Sequence, residues 1–272
     1  MIKIKEKFLC GKRQDQDLCE DGIFIGEHFV AVVDGVTSKG TLRWQGDMTS
    51  GRFAKETILR TLADMPADVS CDAFFDILDK ALGDAARAAH PDAGLSDLPR
   101  ACIVAYSVFH RQVWMAGDCA FMIGRTRFTN AKKIDEVLSD LRAAVIEAAL
   151  ANGATVADIA ENDVGREMIT PFFATQFAFE NAADSPFGYS VLNGRGVAHE
   201  LIVRHDVPAG AAVVLASDGY PVLCATLAES EAKLAALIKE DPLCFRANRT
   251  TKGILPGNCS FDDRSFVKFI AK

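Results

Sequence analysis

Four short acidic segments distinguish this chain, and three of them stand at the edges of apolar, strand-like runs. A carboxylate next to buried residues loses hydration unless a cation or hydrogen bonds compensate it. Several such carboxylates that converge from distant parts of a chain form the oxygen ligand set that hard divalent cations prefer. Without histidine or cysteine ligands, such a set favours Mg²⁺ or Mn²⁺ over Zn²⁺. The segments are Asp15-Gln16-Asp17, Val32-Val33-Asp34-Gly35, Ala216-Ser217-Asp218-Gly219 and Phe261-Asp262-Asp263-Arg264.

The sequence supports other catalytic schemes poorly. It contains no G-x-x-x-x-G-K-[ST] phosphate loop, and its five histidines form no H-E-x-x-H pair. Ser217 lacks the flanking glycine of a G-x-S-x-G nucleophile turn. Two divalent cations about 3.5–4 Å apart can instead share a water and hold a phosphoryl group for in-line attack. The acids therefore favour metal-assisted phosphoryl chemistry.

Hydrophobic periodicity predicts the elements that position these acids. Hairpin-sized strand successions with helices grouped between them favour an α+β fold with two mostly antiparallel sheets, not βαβ winding. We expect a four-layer α-β-β-α sandwich, and one domain over 1–272 because no repeat or linker interrupts the chain. Strands are predicted at 2–9, 22–26, 29–34, 101–109, 112–117, 120–124, 187–192, 199–205, 211–217 and 264–270, and helices at 47–64, 72–90, 134–151, 155–170 and 228–239.

The bulk composition narrows the class of partner and the compartment. The 272 residues are 49% hydrophobic and 25% charged with a net charge of −7, which disfavours nucleic acid and anionic membranes as partners. No apolar stretch approaches the roughly 18–20 residues of a membrane helix, and the N-terminus lacks a signal-peptide core. Eight dispersed cysteines without a C-x-x-C pair are typical of reduced thiols. A cytoplasmic protein is expected, and its oligomeric state is unknown from sequence.

The order of the acidic segments resembles that of the metal-dependent PPM, or PP2C-type, serine/threonine phosphatases over nearly the whole chain. The resemblance, which is to bacterial-type members, implies a helix-flanked β-sandwich with two Mn²⁺ or Mg²⁺ ions at one end, and a third, weaker ion. It implies hydrolysis of phosphate monoesters, with phosphoserine or phosphothreonine in proteins as the substrate class, by attack of a water that bridges the two metal ions. The matching segments are Asp15-Gln16-Asp17, Asp34-Gly35, Gly117-Asp118-Cys119, Ser217-Asp218-Gly219 and Asp262-Asp263.

The resemblance also implies roles for individual residues. Asp34 would bridge the two ions, and the carbonyl of Gly35 would complete one coordination shell. Asp218 and Asp262 would bind the other ion, which makes Asp34, Asp218 and Asp262 the catalytic set. Asp17 would act through a metal-bound water.

The resemblance implies a role for one further acid, and two other assignments come with alternatives. Asp118 resembles the acid that helps to hold the third ion. Asp263 could replace Asp262 as the late ligand, although the alternation after Ser265 favours Asp262. Either Lys12 or Arg13 would bind the substrate phosphate, and the spacing does not decide between them.

Some segments depart from the family pattern. Val36 stands where eukaryotic members carry a histidine that can protonate the leaving group, and Cys119 replaces a serine. A helical insertion at about 131–185 occupies the place of a variable flap, and Lys132-Lys133 is interpreted as a solvated pair at a helix start. Two alternatives therefore accompany the phosphatase prediction. They are a catalytically inactive regulatory or binding module and a phosphatase of a small phosphorylated metabolite.

Overall fold

The computed structural model describes residues 2–37 and 40–272, which contain two five-stranded sheets. All eight strand pairings among these residues are antiparallel, so the predicted α+β class with antiparallel sheets is confirmed. The first sheet holds, in spatial order, β1 (Lys3–Cys10), β10 (Arg264–Ile270), β9 (Ala212–Ala216), β6 (Ala120–Ile123) and β7 (Thr126–Thr129). The second holds β2 (Asp21–Ile25), β3 (Phe29–Gly35), β4 (Ala101–Ser107), β5 (Gln112–Ala116) and β8 (Val203–Asp206).

The side chains of β3 show how the layers form, because successive residues of a strand point to opposite faces. Phe29, Ala31 and Val33 join a core on the outer face of the second sheet, beneath α1 (Ser50–Ala63) and α2 (Cys71–Ala89). Val30 and Val32 belong to a different core, which they share with inward-facing residues of the first sheet. An apolar strand buried on both faces is what a central strand of a covered sandwich requires.

The outer face of the first sheet is covered by α7 (Leu227–Glu240). Leu234 of this helix packs with Val214 of β9 and Phe266 of β10 in a third core. Helices therefore flank both sheets, which confirms the α-β-β-α order of layers.

The insertion between β7 and β8 is helical, but it is more broken than the sequence indicates. The single helix predicted over 155–170 is wrong, because the segment forms two helices that separate at Asn162 and Asp163. The side chain of Asp163 accepts a hydrogen bond from the backbone of Arg166 and so starts a new helix. The insertion comprises α3 (Lys133–Ala151), α4 (Val156–Glu161), α5 (Val164–Ile169) and α6 (Phe172–Thr175).

The strand predicted at 187–192 does not form, and only isolated bridges at Tyr189 and Leu192 occur there. The backbone of Val191 is instead bound by the side-chain amide of Asn181, which accepts from its N–H at 3.1 Å and donates to its carbonyl at 2.9 Å. One amide side chain thus satisfies the backbone groups of Val191, while Tyr189 and Leu192 bond to the backbones of Phe179, Asn181 and Ala101. The short strand β7, by contrast, was not predicted.

Among the helices of the described residues, none combines the length and the apolar character that crossing a bilayer would require. The prediction of a single domain over 1–272 stays a prediction.

Candidate active site

The connections between the two sheets collect the acidic segments at one end of the sandwich. The strands β3 and β9 both end there, and β10 begins there next to the end of β1. The chain also crosses between the sheets at this end, from β1 to β2 through residues 11–20 and from β5 to β6 through 117–119. Acids that are far apart in sequence are therefore carried to one place by strand direction.

Three of the predicted site residues form a compact cluster at this end. One carboxylate oxygen from each of Asp34, Asp118 and Asp218 lies within 4.8 Å of the others. These oxygens are close enough for a single divalent cation to contact all three. Because the cluster contains no histidine or cysteine, its donor chemistry fits Mg²⁺ or Mn²⁺.

Asp21 is a fourth acid of this region, and it lies outside the acidic segments that the sequence singles out. It pairs directly with Asp34 across the hairpin of β2 and β3, and only 1% of its surface is exposed. The hydroxyl of Ser265 donates to its carboxylate at 2.9 Å. Burial, together with the charges of Asp263 and Asp218, raises the pKa of Asp21 well above its usual range.

Burial has the same effect on the cluster. It is the largest reason why the pKa values of Asp34 and Asp218 lie well above the ordinary range. The charges of neighbouring carboxylates raise these pKa values further. Asp21 has the largest such effect on Asp34, and Asp262 raises the pKa of both Asp34 and Asp218. A site that holds several carboxylates against their mutual repulsion is one that a cation would stabilise.

Asp118 differs from these acids because it already has a cationic partner. The ammonium group of Lys132 lies 2.8 Å from its carboxylate, and 11% of the Lys132 side chain is exposed. Although burial opposes the effect, Lys132 lowers the pKa of Asp118. The interpretation of Lys132-Lys133 as a solvated pair is therefore wrong for Lys132, while Lys133 is exposed.

Asp262 and Asp263, the two acids that precede β10, have different surroundings. Asp263 is buried and accepts hydrogen bonds from the backbone N–H groups of Lys12 at 2.8 Å and Glu20 at 2.7 Å, so it ties the β1–β2 connection to β10. Asp262 accepts from the ammonium groups of Lys12 at 3.0 Å and Lys252 at 2.5 Å. Despite its burial, Lys252 and Lys12 hold the pKa of Asp262 far below its usual range.

The remaining predicted residues lie around this end of the sandwich without joining the cluster. Asp17 sits in a short 3₁₀ turn with 93% of its side chain exposed, 4.0 Å from Arg52. Arg13 is also exposed. Lys12 is half-buried, and the charges of Asp262, Asp263 and Glu20 raise its pKa, against the effect of burial.

Gly35 has a steric role that does not depend on a metal. A Cβ atom at Gly35 would lie 2.2 Å from the carbonyl oxygen of Gly51, at the start of α1. Only glycine therefore lets β3 approach this helix so closely. The predicted phosphate-binding roles of Lys12 and Arg13 stay predictions. So do all the predicted metal-ligand roles, which are those of Asp17, Asp34, Gly35, Asp118, Asp218, Asp262 and Asp263.

Comparison with known proteins reveals similarity in structure but no match to a protein-family model or to a curated protein sequence. Several solved structures match the chain. The similar structures described next are serine/threonine phosphatases.

They include the PPM Ser-Thr phosphatase MsPP from Mycobacterium smegmatis, with 16% identity, a TM-score of 0.47 and coverage of 97% of this chain and 95% of that one. The catalytic domain of PstP, in complex with two manganese ions, has 14% identity, a TM-score of 0.49 and coverage of 100% and 99%. The S. agalactiae serine/threonine phosphatase has 12% identity, a TM-score of 0.49 and coverage of 100% of both chains. At these values the similarity assigns no role to any residue of this chain.

Proposed function

We propose that this protein is a divalent-metal-dependent phosphatase that hydrolyses phosphate monoesters. The observation that carries the proposal is the convergence of Asp34, Asp118 and Asp218, whose carboxylate oxygens lie within 4.8 Å of one another. A divalent cation held there would supply a Lewis acid that lowers the pKa of water and neutralises charge on phosphoryl oxygens. Asp34 and Asp218 would hold this cation from the two sheets, and Asp118 from the crossing between them.

The lysines at the rim of the cluster are suited to a phosphate dianion. Lys12 and Lys252 meet at Asp262, and Lys132 pairs with Asp118. Ammonium groups are compact charges that bind phosphate oxygens without a fixed orientation. They would therefore position a phosphoryl group beside the cation, with Lys12 in the role that the sequence left open between Lys12 and Arg13.

We propose phosphoserine and phosphothreonine residues of proteins as the substrate class. The acidic segments in their family order support this choice, and the sequence contains no G-x-x-x-x-G-K-[ST] nucleotide loop. The use of two metal ions, with Asp262 as a ligand, is the form of the mechanism that the family resemblance implies.

The test is hydrolysis of p-nitrophenyl phosphate and of a phosphothreonine peptide, each with Mn²⁺ and with EDTA. We expect turnover that requires the metal and that Asp34→Asn reduces by about 100-fold or more, because the variant removes a ligand charge without changing side-chain size. The matched control is Asp92→Asn, which removes an exposed acid in the turn after α2 and should leave turnover unchanged.

Three outcomes separate the alternatives. Metal-dependent turnover of the peptide, lost in Asp34→Asn, supports the proposed function. Metal binding with no turnover of either substrate would contradict a phosphoprotein phosphatase and favour a small phosphorylated metabolite as substrate. The absence of both metal binding and turnover would contradict the enzyme altogether and leave a regulatory binding module.

A further inference from the structure

Both carboxylate oxygens of Asp262 are engaged by lysines. The ammonium group of Lys12 lies 3.0 Å from Oδ1, and that of Lys252 lies 2.5 Å from Oδ2. The backbone N–H of Asp263 also donates to Oδ1, at 3.0 Å. This acid therefore has less coordinating capacity to offer a cation than Asp34 or Asp218, although its charge reaches both of them.

Both lysines are partly buried, and Lys12 makes further contacts. About a fifth of the Lys12 side chain and a third of the Lys252 side chain are exposed, at 19% and 32%. Lys12 also lies within 3.9 Å of Asp263 and 3.8 Å of Glu20. To displace both ammonium groups from Asp262, a divalent ion would have to leave two partly buried cations close to its own charge.

The helical insertion places two of the three lysines of the site. Lys132 is the N-cap residue of α3 and reaches Asp118 directly. Farther along the same helix, the fully buried guanidinium of Arg142 donates to the carbonyl groups of Leu243, Cys244 and Thr250 at 2.8, 2.9 and 3.0 Å.

These bonds anchor the loop that carries Lys252, two residues beyond Thr250. The hydroxyl of Thr250 donates to the carbonyl group of Lys252 itself, at 2.5 Å. One helix of the insertion thus helps to position two of the ammonium groups, those of Lys132 and Lys252. It does so directly at Asp118 and through the anchored loop at Asp262.

We propose that Lys252, together with Lys12, takes the place of a second divalent cation at Asp262, so that the cleft binds one divalent cation between Asp34, Asp118 and Asp218. The inference rests on the proposed metal-dependent function and differs from the two ions that the family resemblance implies. The two ammonium groups supply positive charge on the Asp262 side of the cleft. There they would contact the phosphoryl oxygens that a second ion would otherwise bind.

The experiment counts metal ions directly. Mn²⁺ binding is measured by isothermal titration calorimetry and by electron paramagnetic resonance for the full chain, for the double variant Lys12→Met/Lys252→Met and for Lys233→Met. We expect one Mn²⁺ per chain and no spin coupling in the wild type. The double variant should bind two ions with spin coupling between them, because both oxygens of Asp262 lose their lysine partners. Lys233 is exposed on α7, so its variant controls for the loss of a surface charge and should bind one ion.

The outcomes distinguish this inference from the proposed function. Two spin-coupled ions in the wild-type protein, with turnover, would overturn the inference and leave the phosphatase proposal intact. No bound ion in the wild type would overturn both. A double variant that stays folded and still binds one ion would overturn the role given to the lysines. The wild-type count decides the number of ions even when the double variant does not fold.

Discussion

Gly117 determines where the carboxylate of Asp118 can lie, because the chain turns there from one sheet to the other. Its φ is +89°, and a Cβ atom at this position would lie 2.2 Å from the sulfur of Cys102. The left-handed backbone and the close contact both demand glycine. The neighbouring Asp118 is therefore held by the backbone as well as by Lys132.

Gly117→Ala should lower the free energy of unfolding by about 3 kcal/mol, since backbone strain and overpacking act together. Gly210→Ala is the matched control, because Gly210 also has a positive φ of +79° but has open space where a Cβ would stand. The control should lose only the strain contribution, about 1 kcal/mol. Urea denaturation measures both values. Equal losses in the two variants would contradict a steric role for Cys102.

Among the acids, sequence could predict some positions and not others. Asp34 and Asp218 were identifiable because each follows a buried apolar run. Asp21 was predictable in principle, since the hairpin formed by 22–26 and 29–34 aligns it with Asp34. The positions of Lys132 and Lys252 could not be predicted from the sequence. Their ammonium groups reach Asp118 and Asp262 through loop conformations that depend on residues distant in sequence.

At the scale of elements, strand alternation and helical periodicity predicted the sandwich. Two predicted elements differ from the structure, and hydrogen bonds from polar side chains to the backbone contribute to both differences. The helix expected over 155–170 breaks where Asp163 caps a new helix. In the segment 187–192, where a strand was expected, the amide of Asn181 binds the backbone of Val191. A polar side chain takes part in each exception. Periodicity of apolar residues carries no information about such bonds.

Arg142 links α3 to the 243–250 loop, and its removal tests whether this link stabilises the site. Arg142→Met keeps the side-chain length but leaves three carbonyl groups without their donor and Asp163 without its ionic partner, at 2.6 Å in the structure. We expect a loss of about 3 kcal/mol in the free energy of unfolding, measured by urea denaturation. Amide hydrogen exchange should also become faster in the loop.

Arg249→Met is the control for Arg142→Met, because Arg249 forms an exposed ion pair with Asp140. Its loss should change the free energy of unfolding by no more than about 0.5 kcal/mol. If Arg142→Met left both stability and loop exchange at the values of this control, the loop would be held by other contacts.

At the scale of the whole molecule, the acidic end of the sandwich makes folding stability depend on pH. The raised pKa values of Asp34, Asp218 and Asp21 mean that the folded state holds protons that the unfolded chain has released. Their contribution is present near pH 4 and is lost as the pH rises through the folded pKa values. The lowered pKa values of Asp118 and Asp262 have the opposite effect on the free energy of unfolding. Their contribution is lost as the pH falls below about 4.

In EDTA, the free energy of unfolding should therefore fall as the pH is raised from 5 towards the pKa values that these buried acids have in the folded protein. The decrease should be at most about 1.4 kcal/mol per pH unit for each proton released. Asp34→Asn, which removes one titrating carboxyl and its repulsion, should have a shallower slope and exceed the wild type in stability at the alkaline end. With Mn²⁺ present, the wild-type slope should reverse, because the cation binds the deprotonated carboxylates and stabilises them. Urea denaturation of both proteins across this pH range measures the slopes. Identical slopes for wild type and Asp34→Asn in EDTA would contradict the claim that burial of these charges governs the stability of this end of the sandwich.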